Sequence, residues 1–114
     1  MQIEIPVRRR GECCEVTSPL PASDAEQTVR VLAALADVTR LQMVAVLARS
    51  EQPVCVCDFT AQFELGQSTI SHHVAKLRAA GLVESEKRGL WSYYRLRKDL
   101  PRAVSRLVDA AVTA

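Results

Sequence analysis

Glycine and histidine are scarce in this 114-residue chain, and their scarcity excludes several kinds of site. None of the four glycines belongs to a glycine-rich loop beside a cysteine, which argues against an enzyme that uses a cysteine on a phosphate-like substrate. The two histidines, His72 and His73, are adjacent, and the helix predicted over residues 100–112 contains none. A zinc site made of histidine and carboxylate ligands on that helix is therefore not expected.

Long apolar runs are missing as well. No stretch is long enough to span a membrane, and the basic residues 8–10 are not followed by the apolar core of a secretion signal. We therefore expect a cytoplasmic protein with no membrane partner. In that compartment the four cysteines should be free thiols and not a disulfide framework.

The net charge of +2 hides an uneven distribution of charge along the chain. Residues 67–98 hold seven basic and two acidic side chains, whereas residues 20–66 hold three basic and six acidic ones. One basic region in a nearly neutral chain favours binding to a polyanion, although a solvated charged hairpin would have the same composition.

The stretch from residue 67 to residue 81 has the pattern of a DNA recognition helix. Ile70, Val74 and Leu77 recur at i, i+4 and i+7, so one apolar stripe should face a core. His73 borders that stripe and is expected to pack between helices. A helix predicted from residue 56 or 57 to residue 64 and a glycine-containing turn precede the stretch, which completes a helix-turn-helix pattern.

After Gly81 the pattern becomes extended, and residues 82–87 and 90–97 predict a β-hairpin around Gly89. A basic hairpin that follows a recognition helix is a wing, able to contact the DNA backbone beside the helix. Hydroxyl, imidazole and cationic groups that can meet base edges and phosphates lie on the predicted polar face and the wing. The candidate DNA-binding residues are Gln67, Ser68, Thr69, Ser71, His72, Lys76, Lys87 and Arg88.

Three further helices are predicted. The first should begin near Ser23, with Ser23 and Glu26 as a capping box, and Asp37 should cap a second helix that runs to about Ala48. The expected buried residues are Val29, Leu32, Ala33 and Ala36 in the first, and Leu41, Val44, Ala45 and Ala48 in the second. The third, over residues 100–112, should place Ala103, Leu107 and Ala110 or Ala111 in a dimer seam, with monomer core packing as the alternative.

The fold class predicted from these elements is mainly α, a winged helix-turn-helix of about five helices and a two-stranded β-hairpin wing, assembled as a homodimer. It should occupy residues 22–114. Prolines and a glycine interrupt residues 1–21, which we interpret as an arm carrying Cys13 and Cys14.

The four cysteines form two pairs, Cys13–Cys14 and Cys55-x-Cys57. Residues spaced i, i+2 place both sulfurs on one side if the backbone is extended, and a helix N-terminus would lower a thiol pKa. Thiolates select soft ions, and no cysteine lies on a predicted apolar stripe. A metal or metalloid site built from Cys13, Cys14, Cys55 and Cys57 is therefore favoured, with redox sensing as the alternative.

Together these motifs resemble those of the ArsR/SmtB winged helix-turn-helix repressors, which are dimeric metal sensors. The resemblance covers roughly residues 24–112. It rests on Leu-Ala-Asp-Val-Thr-Arg-Leu at 35–41, Val-Cys-Val-Cys-Asp at 54–58, Ser-Thr-Ile-Ser-His-His-Val at 68–74 with Leu77, Ala-Gly-Leu-Val at 80–83, and residues 88–96.

The resemblance implies a repressor, not an enzyme, that binds double-stranded operator DNA as a homodimer and dissociates when an ion binds cysteine thiolates. Thr60 stands where one arsenic-sensing subtype carries a third cysteine, and family members with a Cys-Cys arm join arm and helix instead. The implied inducer is As(III), with Sb(III) as a second candidate. A four-sulfur Cd(II) or Pb(II) site and a thiol redox switch remain alternatives.

Overall fold

The computed structural model describes residues 2–13 and 15–113, which form five helices and three strands. The predicted winged helix-turn-helix of mainly α class is confirmed. Before the first helix, the described residues are exposed and belong to no helix or strand. In chain order the elements are α1 Ala22–Leu35, α2 Val38–Arg49, β1 Val54–Cys55, α3 Val56–Phe63, α4 Gln67–Ala79, β2 Val83–Arg88, β3 Trp91–Leu96 and α5 Arg102–Val112.

The wing is an antiparallel hairpin of β2 and β3, paired from Val83↔Leu96 to Arg88↔Trp91. Gly89 in its turn has a φ of 61°, a left-handed conformation that glycine adopts without steric cost. A third strand, β1, was not predicted; it pairs with β3 on the side away from β2. Two residues are too few to show the alternation by which a strand is recognised in a sequence.

The core forms where α3 and α4 meet the base of the sheet. Ile70, Val74 and Leu77 of α4 are buried as predicted, and Phe59 of α3 is fully buried beside Phe63, with 6.0 Å between their ring centroids. From α5, Val104 and Val108 enter this core, while the predicted seam residues Ala103 and Ala110 are exposed. The last helix thus packs in the monomer on one face and leaves small side chains in solvent on the other.

The predicted buried stripe of α1 is wrong. Val31, Ala34 and Leu35 are buried, whereas Val29 and Leu32 are 62% and 47% exposed. The helix is apolar on two sides, so its periodicity could not select the side that faces the core. The 100° bend between α1 and α2 decides which side faces inward.

The buried residues of α2 also differ from the prediction. Met43 and Leu47 accompany Val44 in the core, Leu41 and Ala45 are half-buried, and Ala48 is exposed. The stripe is rotated because α2 packs against α5 and β3 as well as against α1. Contacts with elements distant in sequence therefore override the simple pattern.

Of the two predicted helix caps, the one at the start of α2 is confirmed and the one at the start of α1 is wrong. Asp37 caps α2 as predicted, its carboxylate accepting a hydrogen bond from the N–H of Arg40 at 2.9 Å. The capping box of Ser23 and Glu26 is wrong, because α1 begins at Ala22 directly after Pro21 and has no side-chain cap. With its φ restricted by the ring, Pro21 introduces the helix earlier than the capping pattern suggested.

Within residues 2–13 and 15–113, no single helix has the length and apolar character needed to cross a membrane. The pair α1 and α2 would meet that requirement together by length and composition, but the two helices are bent by 100° at their junction.

We expect Phe59→Ala to destabilise the fold by about 3–5 kcal/mol, because the substitution leaves a cavity where α3 packs against α4. Urea unfolding followed by circular dichroism measures the loss. Gln62→Ala, an exposed change on the same helix, should stay within about 0.5 kcal/mol of the wild type. Equal stability of the two variants would contradict the assigned core.

Candidate nucleic-acid interface and thiol pair

The helix-turn-helix consists of α3, a three-residue turn and α4. Glu64 ends α3 in the left-handed conformation with a φ of 54°, and Gly66 is the extended N-cap of α4. Burial of one stripe of α4 orients the opposite face outward. The exposed residues of α4 include all six that were predicted to contact DNA, Gln67, Ser68, Thr69, Ser71, His72 and Lys76.

The wing carries both cations and carboxylates. Lys87 and Arg88 are exposed near its tip, and Arg88 forms an ion pair with Glu86 at 3.1 Å. Surface pairs of this kind contribute little stability, so Arg88 can exchange its carboxylate partner for a phosphate. Arg95 pairs with Glu84 farther along the hairpin. The positive charge counted from the sequence is thus partly neutralised within the wing itself.

At the base of the wing, Arg97 and Asp99 form a bidentate pair with bonds of 2.9 and 2.8 Å. The hydrogen bond to Asp99 raises the pKa of Arg97, and the same contact lowers the pKa of Asp99. Both groups therefore remain charged, and Asp99 already binds the guanidinium of Arg97.

Arg40 joins three helices, a role that the sequence did not indicate. Its Nε donates to the carbonyl oxygen of Ala34 at 2.6 Å, and its Nη2 donates to that of Ala33 at 3.4 Å. Its Nη1 lies 3.4 Å from Nδ1 of His73, which is half-buried on α4. The guanidinium thus satisfies carbonyls at the end of α1 and fixes α4 against the start of α2.

Cys55 and Cys57 lie at the junction of β1 and α3. Cys55 is buried with 5% of its surface exposed, whereas Cys57, in the first turn of α3, is exposed. The side chain of Cys55 is the main cause that raises the pKa of Cys57, so the junction places the two thiols near each other. Burial, the charge of Cys55 and the charge of Asp58 raise that pKa as well. The expectation that the helix N-terminus would lower this thiol's pKa is wrong for Cys57.

Two neighbouring residues hold the backbone around the thiols. The carboxylate of Asp58 accepts a hydrogen bond from the N–H of Cys55 at 3.0 Å, and the Thr60 hydroxyl donates to the carbonyl oxygen of Cys57 at 2.9 Å. A groove of about 330 Å³ runs from Cys57 and Thr60 to Gln67 at the start of α4. Through this groove, Cys57 is adjacent to the helix predicted to bind DNA.

One of the two arm cysteines belongs to the described part of the chain. Cys13 is exposed on the arm, and Cys14, a predicted ligand, lies outside the described residues. In the part of the chain that is described, no three His, Cys, Asp or Glu side chains come together to hold a metal ion. Of the three predicted ligands that the structure describes, it places Cys55 and Cys57 near each other.

Comparison with known proteins identifies the family. Residues 37–85 match the arsR family of bacterial regulatory proteins. The chain is 36% identical over 83 residues to the arsenical resistance operon repressor of Escherichia coli. The aligned residues cover 73% of this chain and 70% of that repressor. The chain belongs to the arsR family. It is a DNA-binding transcriptional repressor of that family and not an enzyme.

Another arsR relative is the arsenic resistance transcriptional regulator ArsR1 of Pseudomonas putida. It is 42% identical over 84 residues, which cover 74% of this chain and 65% of the relative, slightly under two thirds of its length. Among solved structures, the homodimeric winged helix-turn-helix DNA-binding domain Mb0332 of Mycobacterium bovis, a possible ArsR-family regulator, superposes with a TM-score of 0.65. It is 30% identical and covers 78% of each chain.

We expect Asp37→Ala to lower the melting temperature at about pH 7 by a few degrees, because it removes the cap of α2. The N–H of Arg40 is the main cause that lowers the pKa of Asp37. The ionised carboxylate therefore stabilises the fold above the pKa of the unfolded chain, and this stabilisation is lost as the pH falls through the lower pKa of the folded protein.

The measurement is thermal unfolding of both proteins across an acid titration. The difference in melting temperature should shrink towards zero at the most acid pH at which both proteins still fold. A difference that stays constant down to that pH would contradict the role given to the ionised carboxylate.

Proposed function

We propose that this protein is an arsenite-responsive repressor, with antimonite as a second inducer, that binds operator DNA as a homodimer. Binding of the metalloid to cysteine thiolates releases the DNA. The observation that carries this proposal is the proximity of the Cys55 and Cys57 thiols at the junction of β1 and α3, where Cys57 lines the groove that reaches Gln67 at the start of α4. The arsenic resistance named for the two relatives supports the choice of inducer.

The homodimer has a surface available for its interface. Ala103 and Ala110 on α5 are exposed, and so are the apolar Val29 and Leu32 on α1. A two-fold dimer buries the same surface of each subunit, so these exposed apolar side chains of α1 and α5 are candidates for its interface. The homodimeric state of the Mycobacterium bovis domain supports this assembly.

In the dimer, two α4 helices enter successive major grooves about 34 Å apart. Small hydroxyl side chains and His72 contact base edges or adjacent phosphates, and the cations Lys76, Lys87 and Arg88 neutralise phosphates. These assignments rest on the exposure of each residue along α4 and the wing. The proposed reading residues are Ser68, Thr69, Ser71 and His72, with Gln67 at the helix start.

Cys13 and Cys14 of the arm and Cys55 are the proposed ligands, and Cys57 is the fourth candidate. Trivalent arsenic binds three thiolates in a pyramid, whereas Cd(II) and Pb(II) would use all four sulfurs. Adjacent Cys13 and Cys14 keep two sulfurs close, which favours the pyramid over an open tetrahedron. The arm between Cys14 and Ala22 can extend about 25 Å. In this proposal the arm brings its cysteines to Cys55 of its own subunit or of the partner.

Cys55 connects the thiol pair to both DNA-binding elements. It begins α3, which packs on α4 through Phe59, and it pairs with Tyr93 of the wing strand β3. Drawing the arm cysteines towards Cys55 would therefore act on α4 and on the wing together. DNA affinity falls if the bound conformation spaces the two α4 helices wrongly for the operator.

We expect Cys55→Ser to retain operator binding but to lose release by arsenite, because serine keeps the size of the side chain and removes the soft ligand. A mobility-shift titration of operator DNA with arsenite measures both properties. The proposed site is wrong if arsenite releases DNA from Cys55→Ser as readily as from the wild type.

A second experiment tests whether three sulfur ligands are enough for arsenite to release the operator. In the double variant Cys13→Ser/Cys14→Ser, arsenite should no longer release the operator. Adding Thr60→Cys should restore release, because residue 60 lines the same groove as Cys57 and would supply the third sulfur. Thr60→Ser in the same background is the matched control. A response restored equally by both substitutions would contradict the three-sulfur site.

The proximity of the Cys55 and Cys57 thiols also favours a second candidate, a redox switch in which a peroxide oxidises two thiols to a disulfide. Two sulfur–hydrogen bonds are lost, one sulfur–sulfur bond forms, and the peroxide is reduced to water or alcohol. Mass spectrometry separates the candidates. Loss of two hydrogens together with DNA release, without a metalloid adduct, would favour the redox switch. X-ray absorption of the ligand-bound protein counts the sulfurs and separates arsenic from cadmium or lead.

A further inference from the structure

A basic cleft between α1 and α4 joins Lys76, assigned above to DNA contact, with Arg30 of α1, which is not among the assigned residues. We propose that Arg30 and Lys76 in this cleft bind a phosphate of the operator backbone, which adds α1 to the DNA-binding surface. The inference rests on the proposed function as a DNA-binding repressor and extends its footprint to a residue that no recognition-helix or wing pattern includes.

The cleft has a volume of about 270 Å³ and carries only positive charge among its lining residues. Arg30 comes from α1, Arg40 from the start of α2, and Lys76 from α4. The remaining lining residues are alanines, Ala33, Ala34, Ala79 and Ala80. Alanine side chains leave room for a sugar-phosphate backbone to approach the cations closely.

The three cations differ in how far they are already engaged. Arg40 is held by the carbonyl oxygens of Ala33 and Ala34. Within the described chain, neither Arg30 nor Lys76 forms an ion pair, and both are exposed. Arg30 and Lys76 are therefore the groups available to an incoming anion, while Arg40 adds positive potential behind them.

Acidic groups lie near the cleft but do not line it. Glu26 is exposed and lies one helical turn before Arg30 on α1. Asp37 lies on the far side of Arg40, with its Oδ2 3.9 Å from Nδ1 of His73. An exposed carboxylate one turn away attracts an arginine only weakly. Arg30 is therefore free to bind a phosphate, which offers a bidentate contact to a guanidinium.

The cleft continues the face of α4 that is proposed to meet DNA. His72, Lys76 and Ala79 are spaced i, i+4 and i+7, so they lie on one side of the helix. A recognition helix contacts base edges mainly with its N-terminal residues, and the rest of the helix passes the phosphate row that borders the groove. Lys76, nine residues after Gln67, is about 13 Å along the axis, where a phosphate contact is expected.

The test is a salt titration of DNA binding by the full-length protein, followed by fluorescence anisotropy of a labelled operator duplex. Arg30→Ala should weaken binding about three- to tenfold and reduce the slope of log K against log salt by about one. Arg30→Lys should keep the slope, because it keeps the charge. Lys98→Ala removes an exposed charge outside the cleft and should change the slope less than Arg30→Ala does.

Because phosphate contacts carry no sequence information, Arg30→Ala should weaken binding to the operator and to an unrelated duplex by similar factors. Loss of affinity for the operator alone would overturn the assignment, since Arg30 would then contact bases.

The outcome for the cleft can be separated from the outcome for the proposed function. If the wild type binds the operator and Arg30→Ala matches it in affinity and slope, the cleft assignment fails and the repressor assignment stands. If the wild type binds no duplex from its own promoter region, both fail. Circular dichroism and the arsenite response of Arg30→Ala should equal those of the wild type, because Arg30 touches neither the core nor the thiols.

Discussion

The guanidinium of Arg40 is the interaction on which the orientation of α4 depends. It satisfies carbonyls at the end of α1, stands beside the capped start of α2 and contacts His73 on α4. Helix ends leave unpaired carbonyls and amides. At the bend between α1 and α2, Arg40 binds carbonyl oxygens at the end of α1 and Asp37 caps the start of α2. The exposed face of α4 can be presented to DNA because its buried face is held at this junction.

The thiol pair uses a second junction, where a two-residue strand becomes a helix. Cys55 belongs to the sheet that carries the wing and also begins the helix that supports α4. A change at this residue reaches both DNA-binding elements through packed structure, without a long chain of intermediates. The raised pKa of Cys57 has the same origin, since the side chain of Cys55 at this junction is its main cause.

Charge is arranged less simply than composition suggests. Arginines of the wing pair with Glu84, Glu86 and Asp99, so part of the basic region is neutralised at its own surface. Cations from α1, α2 and α4 meet in a cleft although they are far apart in sequence. A count of charges over a window of sequence overestimates the positive charge of the wing and misses the basic cleft. A phosphate responds to charges that are close in space, not close in sequence.

The sequence by itself determined the helix-turn-helix, the wing and the cap at Asp37, because each depends on residues within one or two turns of one another. It also located Cys55 and Cys57 at a helix start. Only the tertiary structure decided which side of α1 is buried, that Val54 and Cys55 join the sheet, and that Arg40 links three helices. Those features depend on contacts between distant segments, and a helix that is apolar on two sides, or a strand of two residues, carries no local signal of its partner.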